Sequence, residues 1–192
     1  MQSETQLLER PSTSETGRIV RAAARGDQRA WNELVERYTN LLWAIARAHR
    51  LGPADAADVI QTSWLRLVEH LPRLTSPAGV GAWLATTARR ECLAAVRRAD
   101  RYQASDQLEA LAGADSRELD AGLLAAERDA HLWRAFNRLP DRDQALLRLL
   151  MTEPAPSYEE IAAALGMRIG SVGPTRARAL ERLRREMTDG AQ

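Results

Sequence analysis

The chain has 192 residues, 45% of them hydrophobic and 28% charged, with a formal net charge of +1. This permits one domain or two small ones, and the near-neutral balance excludes a protein that holds nucleic acid by bulk charge alone. No apolar run approaches the roughly eighteen residues of a membrane span, and Cys92 stands alone, which excludes an intrachain disulfide and a cysteine-built zinc site.

Met1 to Gly17 is polar and carries Glu4, Glu9 and Glu15. It lacks the basic start and apolar stretch of a signal peptide, so residues 1–17 read as a disordered tail on a cytoplasmic protein. All 27 basic residues are arginine. Such uniform usage fits the codon bias of a GC-rich genome, so the position of an arginine carries more meaning than the number of them.

Ala, Leu, Arg and Glu dominate, all good helix formers, and no useful stretch alternates with strand period. The fold class is therefore all-α. After Gly26-Asp27, residues Trp31, Leu34, Val35, Tyr38, Leu41, Leu42, Ile45 and Ala46 recur at spacings of three and four, the apolar stripe of a long helix ending near Arg50. Gly52-Pro53 breaks it, and Pro53 suits the first turn of the next helix. That helix carries Ala56, Val59, Ile60, Trp64, Leu67, Val68 and Leu71 on its apolar face. Pro72 and the stretch Thr75 to Gly79 predict a loop. Trp83, Leu84, Thr87, Ala88, Cys92 and Ala95 then mark a helix running to about Arg101. Residues 18–101 form one helical domain.

Residues 102–125 lose aromatic side chains after Tyr102 and gain Gly113 and Gly122. From Ala104 to Ala130, seven acids face two arginines, a net charge of −5. This predicts a flexible acidic linker. A second domain follows over residues 126–187, with 188–192 a short tail. Leu132, Trp133, Phe136 and Leu139 give one helix face, stopped by Pro140. Asp141 reads as the next N-cap, with Gln144 in the capping-box position, before Leu146, Leu147, Leu149 and Leu150. Pro154 and Pro156 end that helix, and Ser157 with Glu160 forms a second capping box.

The stretch Ser157 to Met187 is the most informative. A short helix with Ile161, Ala162 and Leu165 on one face meets Gly166, where the chain needs a positive φ. Ser171 then caps a second helix from about Val172, with Pro174 in its first turn, where a missing N–H costs nothing. Two short helices about a glycine-containing turn make a helix-turn-helix. From Ala163 to Met187, six arginines face two glutamates, a local charge of +4. Arginine suits both guanine edges and phosphates. The leading residues of a recognition helix meet base edges, which nominates Ser171, Val172, Gly173, Thr175, Arg176 and Arg178, with Tyr158 nearby. Arg182, Arg184 and Arg185 lie further along, where phosphate contact is expected.

These residues resemble a known family. Ser157-Tyr-Glu-Glu-Ile-Ala-Ala-Ala-Leu-Gly166, with Gly170-Ser-Val and Arg176-Ala-Arg178 and Glu181-Arg-Leu-Arg184, is similar to the C-terminal promoter-binding domain of RNA polymerase sigma factors. Asp55-Ala-Ala-Asp58-Val-Ile-Gln61-Thr-Ser-Trp64-Leu65 independently resembles their core-polymerase-binding segment, and Gly26 to Trp31 and Trp83-Leu84 with Ala88-Arg89 also fit. Two blocks with only a short linker between them point to the small extracytoplasmic-function group. The resemblance spans about residues 18–187. It implies that Asp55, Asp58, Gln61, Trp64 and Leu65 dock on the β′ clamp helices of core RNA polymerase; Asp55 and Asp58 also favour their own helix's N-terminal dipole. It implies that Leu74, Thr75 and Ser76, in the loop to Val80, engage an opened −10 element. Five arginines against two acids make residues 83–101 net +3, and Arg89, Arg90, Arg97 and Arg98 could follow a single strand's backbone. Trp83 could stack on a base, but it opens an apolar face and reads first as core; Cys92 reads as a buried small residue. The linker would thread the polymerase cleft or act as a plain tether. The resemblance also implies the β flap, promoter DNA and an anti-sigma factor as partners. The chain departs from the family's usual pattern at Gly173, Pro174 and Arg176.

Two other classes compete. A ligand-responsive helix-turn-helix regulator would dimerise and need no block like Asp55 to Leu65. A helical enzyme would need chemistry the sequence lacks: His49, His70 and His131 stand at unrelated spacings, with no HExxH and no phosphate loop. No catalytic residue, metal, cofactor or small-molecule substrate is expected, and no further domain is expected beyond the helix-turn-helix.

Overall fold

The computed structural model describes residues 13–106 and 125–189. Among them every regular element is helical: eight α-helices and three short 3₁₀ turns. Residues 107–124, most of the expected linker, and residues 1–12 lie outside the described ones.

Helix α1 spans Thr13–Ala24 and begins inside the stretch expected to be a tail. Its Thr16, Ile19 and Val20 are buried, and it packs against α2 and the 3₁₀ turn Pro77–Gly79. Helix α2, Gln28–Ala48, starts at Asp27, whose carboxylate accepts from the N–H groups of Arg29 and Ala30 at 2.9 and 3.2 Å. It ends where Arg50 takes φ 57° and the Leu51 N–H reaches the Ala46 carbonyl at 3.2 Å. This left-handed closure is usually a glycine's task. Helix α3, Pro53–His70, begins with Pro53 in its first turn, as expected. The 3₁₀ turns Leu71–Arg73 and Pro77–Gly79 make the loop into α4, Val80–Asp106, which runs five residues past the predicted end.

In the C-terminal part, α5 spans Ala125–Arg138, α6 Asp141–Leu150, α7 Tyr158–Leu165 and α8 Val172–Asp189. The Ser157–Glu160 capping box forms: Ser157 N–H donates to the Glu160 carboxylate at 2.6 Å, and Glu160 N–H to Ser157 Oγ at 3.2 Å. Gly166 adopts φ 60°, ψ 42°, as the turn required. The box expected at Asp141 does not form. Pro140 takes the cap position, Asp141 is the first helical residue, and Gln144 Nε2 instead donates to the carbonyls of Leu139 and Asn137, at 2.8 and 3.2 Å.

The main core holds Leu34, Leu42, Ile45, Leu67, Leu84 and Cys92 from α2, α3 and α4. Leu146 and Leu149 of α6, Ile161, Ala162 and Ala164 of α7, and Val172 of α8 join that same cluster. The parts on either side of the linker therefore share a core. Helix α7 lies along α4, with Glu160 beside Gly81 and Gly166 over Arg89. Gly81, Ala85, Ala88 and Cys92 form a buried small-residue face on α4, and a Cβ on Gly81 would collide with the Glu160 carboxylate. A second, smaller core joins α5, α6 and α8 through Phe136, Leu139, Leu147 and Ala179.

Candidate polymerase-docking and nucleic-acid surfaces

Helix α3 presents two different sides. Ala56, Val59, Ile60, Ser63 and Leu67 face inward. Asp58, Gln61, Leu65 and Val68, spaced by three, four and three, form one exposed stripe. Leu65 is 57% and Val68 54% exposed. Val68 was expected on the inner face; lying one turn beyond Leu65, it instead extends the outer stripe. Asp55 is exposed in the first turn of α3. Trp64 is half-buried, edge-on to Trp31 with ring centroids 5.8 Å apart, so it supports the stripe from behind.

The predicted −10 residues divide into four places. Thr75 and Ser76 are exposed between the two 3₁₀ turns, and Leu74 packs partly against the core. Trp83 is half-buried and stacks on His70, 5.3 Å between centroids and 13° between planes. This pair lines an open cleft of about 380 Å³ between α3 and α4, with Arg66, Glu69, Arg73, Thr87, Arg90 and Glu91 around it. Arg66 pairs with Glu91 at 2.8 Å. Arg66 and Arg73 went unnoticed in the sequence and His70 was weighed there only as a catalytic histidine, although Trp83, Thr87 and Arg90 recur at helical spacing on the opposite wall. Arg97 and Arg98 are exposed further along α4. Arg89 stands apart: it is half-buried, and its guanidinium lies where a Cβ on Gly166 would come within 2.6 Å. A cation there favours the carboxyl end of α7.

At the helix-turn-helix, Tyr158 is 41% exposed and faces Gly173, whose added Cβ would sit 4.0 Å from its ring. Ser171 and Thr175 are half-buried, and Arg176 and Arg178 are exposed. Arg178 donates to Thr175 Oγ1 at 3.4 Å. Two assignments change. Val172 is fully buried in the main core and is no surface for DNA. Arg182 is bonded to Asp143, a carboxylate with only 5% of its side chain exposed, so it ties α8 to α6. Arg184 and Arg185 each lie 3.7 Å from Glu181, whereas Arg176 has no ion pair among the described residues.

Two titratable groups, one half-buried and one buried, stand apart from these surfaces. His49 has its pKa lowered from 6.5 by burial and then by Arg89, opposed by a hydrogen bond to the Ala164 backbone. Burial pushes the Cys92 thiol up to about 12, as befits a core residue. Among the described residues no cluster of His, Cys, Asp or Glu could hold a metal ion, and no helix is long and apolar enough to cross a membrane.

The sigma-70 region 2 family model matches residues 34–102, which take in most of α2, all of α3 and most of α4. The extracytoplasmic-function (ECF) RNA polymerase sigma factor RpoE of Cereibacter sphaeroides is 31% identical over 134 residues, covering 69% of this chain and 70% of that one. The ECF RNA polymerase sigma-E factor of Salmonella typhimurium is 25% identical over 168 residues, covering 80% and 84%. The ECF RNA polymerase sigma factor SigE of Mycolicibacterium smegmatis is 29% identical over 183 residues, covering 91% and 68%. Two solved structures share the fold. CnrH in complex with the cytosolic domain of CnrY superposes with a TM-score of 0.59 at 21% identity, over 91% of this chain and 97% of that one. RpoE of Bartonella quintana in complex with the anti-sigma factor NepR gives 0.58 at 20% identity, over 82% and 96%. The ligand-responsive regulator finds no place among these relatives: this chain belongs to the extracytoplasmic-function RNA polymerase sigma factors, a family of transcription initiation factors.

Proposed function

We infer that the chain docks on core RNA polymerase through the outer stripe of α3 and carries it to promoters. The observation that carries this reading is the pairing of Asp58 and Gln61 with Leu65 and Val68, two apolar side chains more than half exposed on an otherwise polar surface. A rigid helix that displays adjacent apolar residues beside polar ones fits a protein partner better than water. The clamp helices of β′ are the partner that the family implies. The exposed Leu132 and Trp133 of α5, with Met151 at the end of α6, offer a second apolar area suited to the β flap.

Promoter reading divides between the two ends of the molecule. Thr75 and Ser76 in the loop and Arg90, Arg97 and Arg98 on α4 are exposed, which supports their meeting an opened −10 strand and its phosphates. The exposure of Arg176 and Arg178, with Thr175 half-exposed beside them on the leading turns of α8, supports their reading the −35 major groove. Phosphate contacts would make DNA binding fall with salt. RNA synthesis belongs to the polymerase. An anti-sigma factor is a further partner, supported by the solved complex of Bartonella RpoE with NepR.

The docking test is Leu65→Glu with Val68→Glu. Both positions face solvent, so the variant should stay folded, while affinity for core polymerase drops by about tenfold or more, some 1.4 kcal/mol. Unchanged affinity of the folded variant would overturn the assignment.

A further inference from the structure

The leading turn of α8 has a gap at Gly173, the second residue of that helix. A Cβ built there would find only Cε2 of Tyr158, at 4.0 Å, as a contact outside its own helix. Tyr158 belongs to the other helix of the pair, as the first residue of α7, and it is exposed. The missing side chain at position 173 therefore uncovers the Tyr158 ring beside the first turn of α8. Both backbones are fixed at this point. The capping box holds the start of α7, with Ser157 N–H on the Glu160 carboxylate at 2.6 Å. Val172, the neighbour of Gly173, is fully buried in the main core and anchors the start of α8.

The leading residues of a recognition helix face base edges in the major groove. A ring beside them meets those edges with carbon rather than with a hydrogen-bonding group. Thymine alone presents a methyl group there; the other bases turn amines, N7 or O6 outward, groups that need polar partners. A cytosine amine or guanine O6 pressed on an aromatic face would lose water without replacement. With no side chain at position 173, a base edge can approach the ring; a larger residue would stand between them. Arg176 and Arg178, exposed on the same turns, are suited to the phosphates or guanine edges nearby.

We propose that Tyr158 is a specificity-determining residue of the −35 surface: its ring, uncovered by Gly173, contacts the C5-methyl of one thymine and so selects a T·A pair at that position. The inference rests on the −35 reading above. It gives α7 a direct part in sequence recognition beside α8. It also gives a physical reason for a glycine at a leading position of α8, where alanine would favour the helix by about 1 kcal/mol. Burial of one methyl group against the ring contributes about fourfold in affinity.

The test uses the full chain bound to core polymerase and a pool of duplexes with a randomised −35 segment. Each thymine that the parent selects is then replaced in turn by deoxyuridine, which removes the methyl alone. At one position this should weaken binding about fourfold. Tyr158→Phe keeps the ring and should show the same loss, whereas Tyr158→Ala should bind both duplexes alike. Gly173→Ala places a methyl in the gap; as alanine suits a helix better, its Tm should equal or exceed the parent's while the response to deoxyuridine disappears. A folding defect would not produce that combination. The assignment is overturned if no selected thymine responds to loss of its methyl, or if Tyr158→Ala and Gly173→Ala respond as the parent does. If the parent selects no −35 sequence at all, the −35 reading fails and this inference with it; a selected sequence indifferent to the methyl removes this inference alone.

Discussion

Replacing Arg182 with alanine separates folding from promoter reading on one helix. The guanidinium bonds Asp143, whose side chain is 5% exposed, while Arg182's own side chain is 46% exposed. A hydrogen bond to a buried charge contributes about 1.5–3 kcal/mol net. Solvent on the arginine side screens the pair and pulls this toward the lower end. Asp143 also stands at the third position of α6, where the helix N-terminus offsets part of the loss. The expected cost of Arg182→Ala is therefore about 1–2 kcal/mol. For a chain of this size each kcal/mol lowers Tm by about 2–4 °C. Arg176→Ala, at an exposed site without an ion pair, should stay within about 0.5 kcal/mol of the parent, spare core binding and weaken initiation at promoters that need the −35 element. Thermal denaturation of Arg182→Ala, Asp143→Ala and the double variant gives the coupling directly. A coupling under about 0.3 kcal/mol would refute the structural role, as would an Arg182→Ala protein with unchanged Tm whose −35-dependent initiation falls as far as that of Arg176→Ala.

What the sequence made legible follows the range over which each cause acts. Gly166 and the Ser157–Glu160 box depend on neighbours within four residues, and both form as read. The same local logic failed at Asp141 because Pro140 could take the cap and two carbonyls, of Asn137 and Leu139, needed the Gln144 amide. Helix α1 was missed because its inner residues include Thr16 and Gly17, small or polar side chains that become interior only against the distant turn Pro77–Gly79. Val68 and Leu65 show the limit of periodicity: a stripe of apolar residues marks a helix but does not say which edge another protein will cover. The packing of α7 on α4 had no local signal at all. Ala85 and Ala88 are ordinary helix formers and Gly81 a poor one, and what sets these small residues there is α7, more than seventy residues away. Arg182 and Arg176 are alike in sequence, and only the position of Asp143 tells them apart.

Three further outcomes follow from single groups. Gly166→Ala should cost about 1–2 kcal/mol, because alanine is strained at φ 60° and its Cβ would press within 2.6 Å of the Arg89 guanidinium; a variant as stable as the parent in thermal denaturation would count against both. Cys92, with its thiol near 12 and its side chain fully buried, should react with thiol reagents only as the protein unfolds, so rapid labelling in native buffer would contradict the core placement. The last concerns pH. His49 faces Arg89 of α4 and the Ala164 backbone of α7, and its pKa in the folded chain lies below 6.5. Above that value the imidazole is neutral in the folded and unfolded chain alike, and stability is unaffected. Below it the unfolded chain takes up the proton more readily, so the fold loses stability as pH falls from 6.5 through the lowered value. The Tm of the parent should therefore fall more steeply than that of His49→Gln on acidification across this window, and an equal fall in both would show that another group drives the loss.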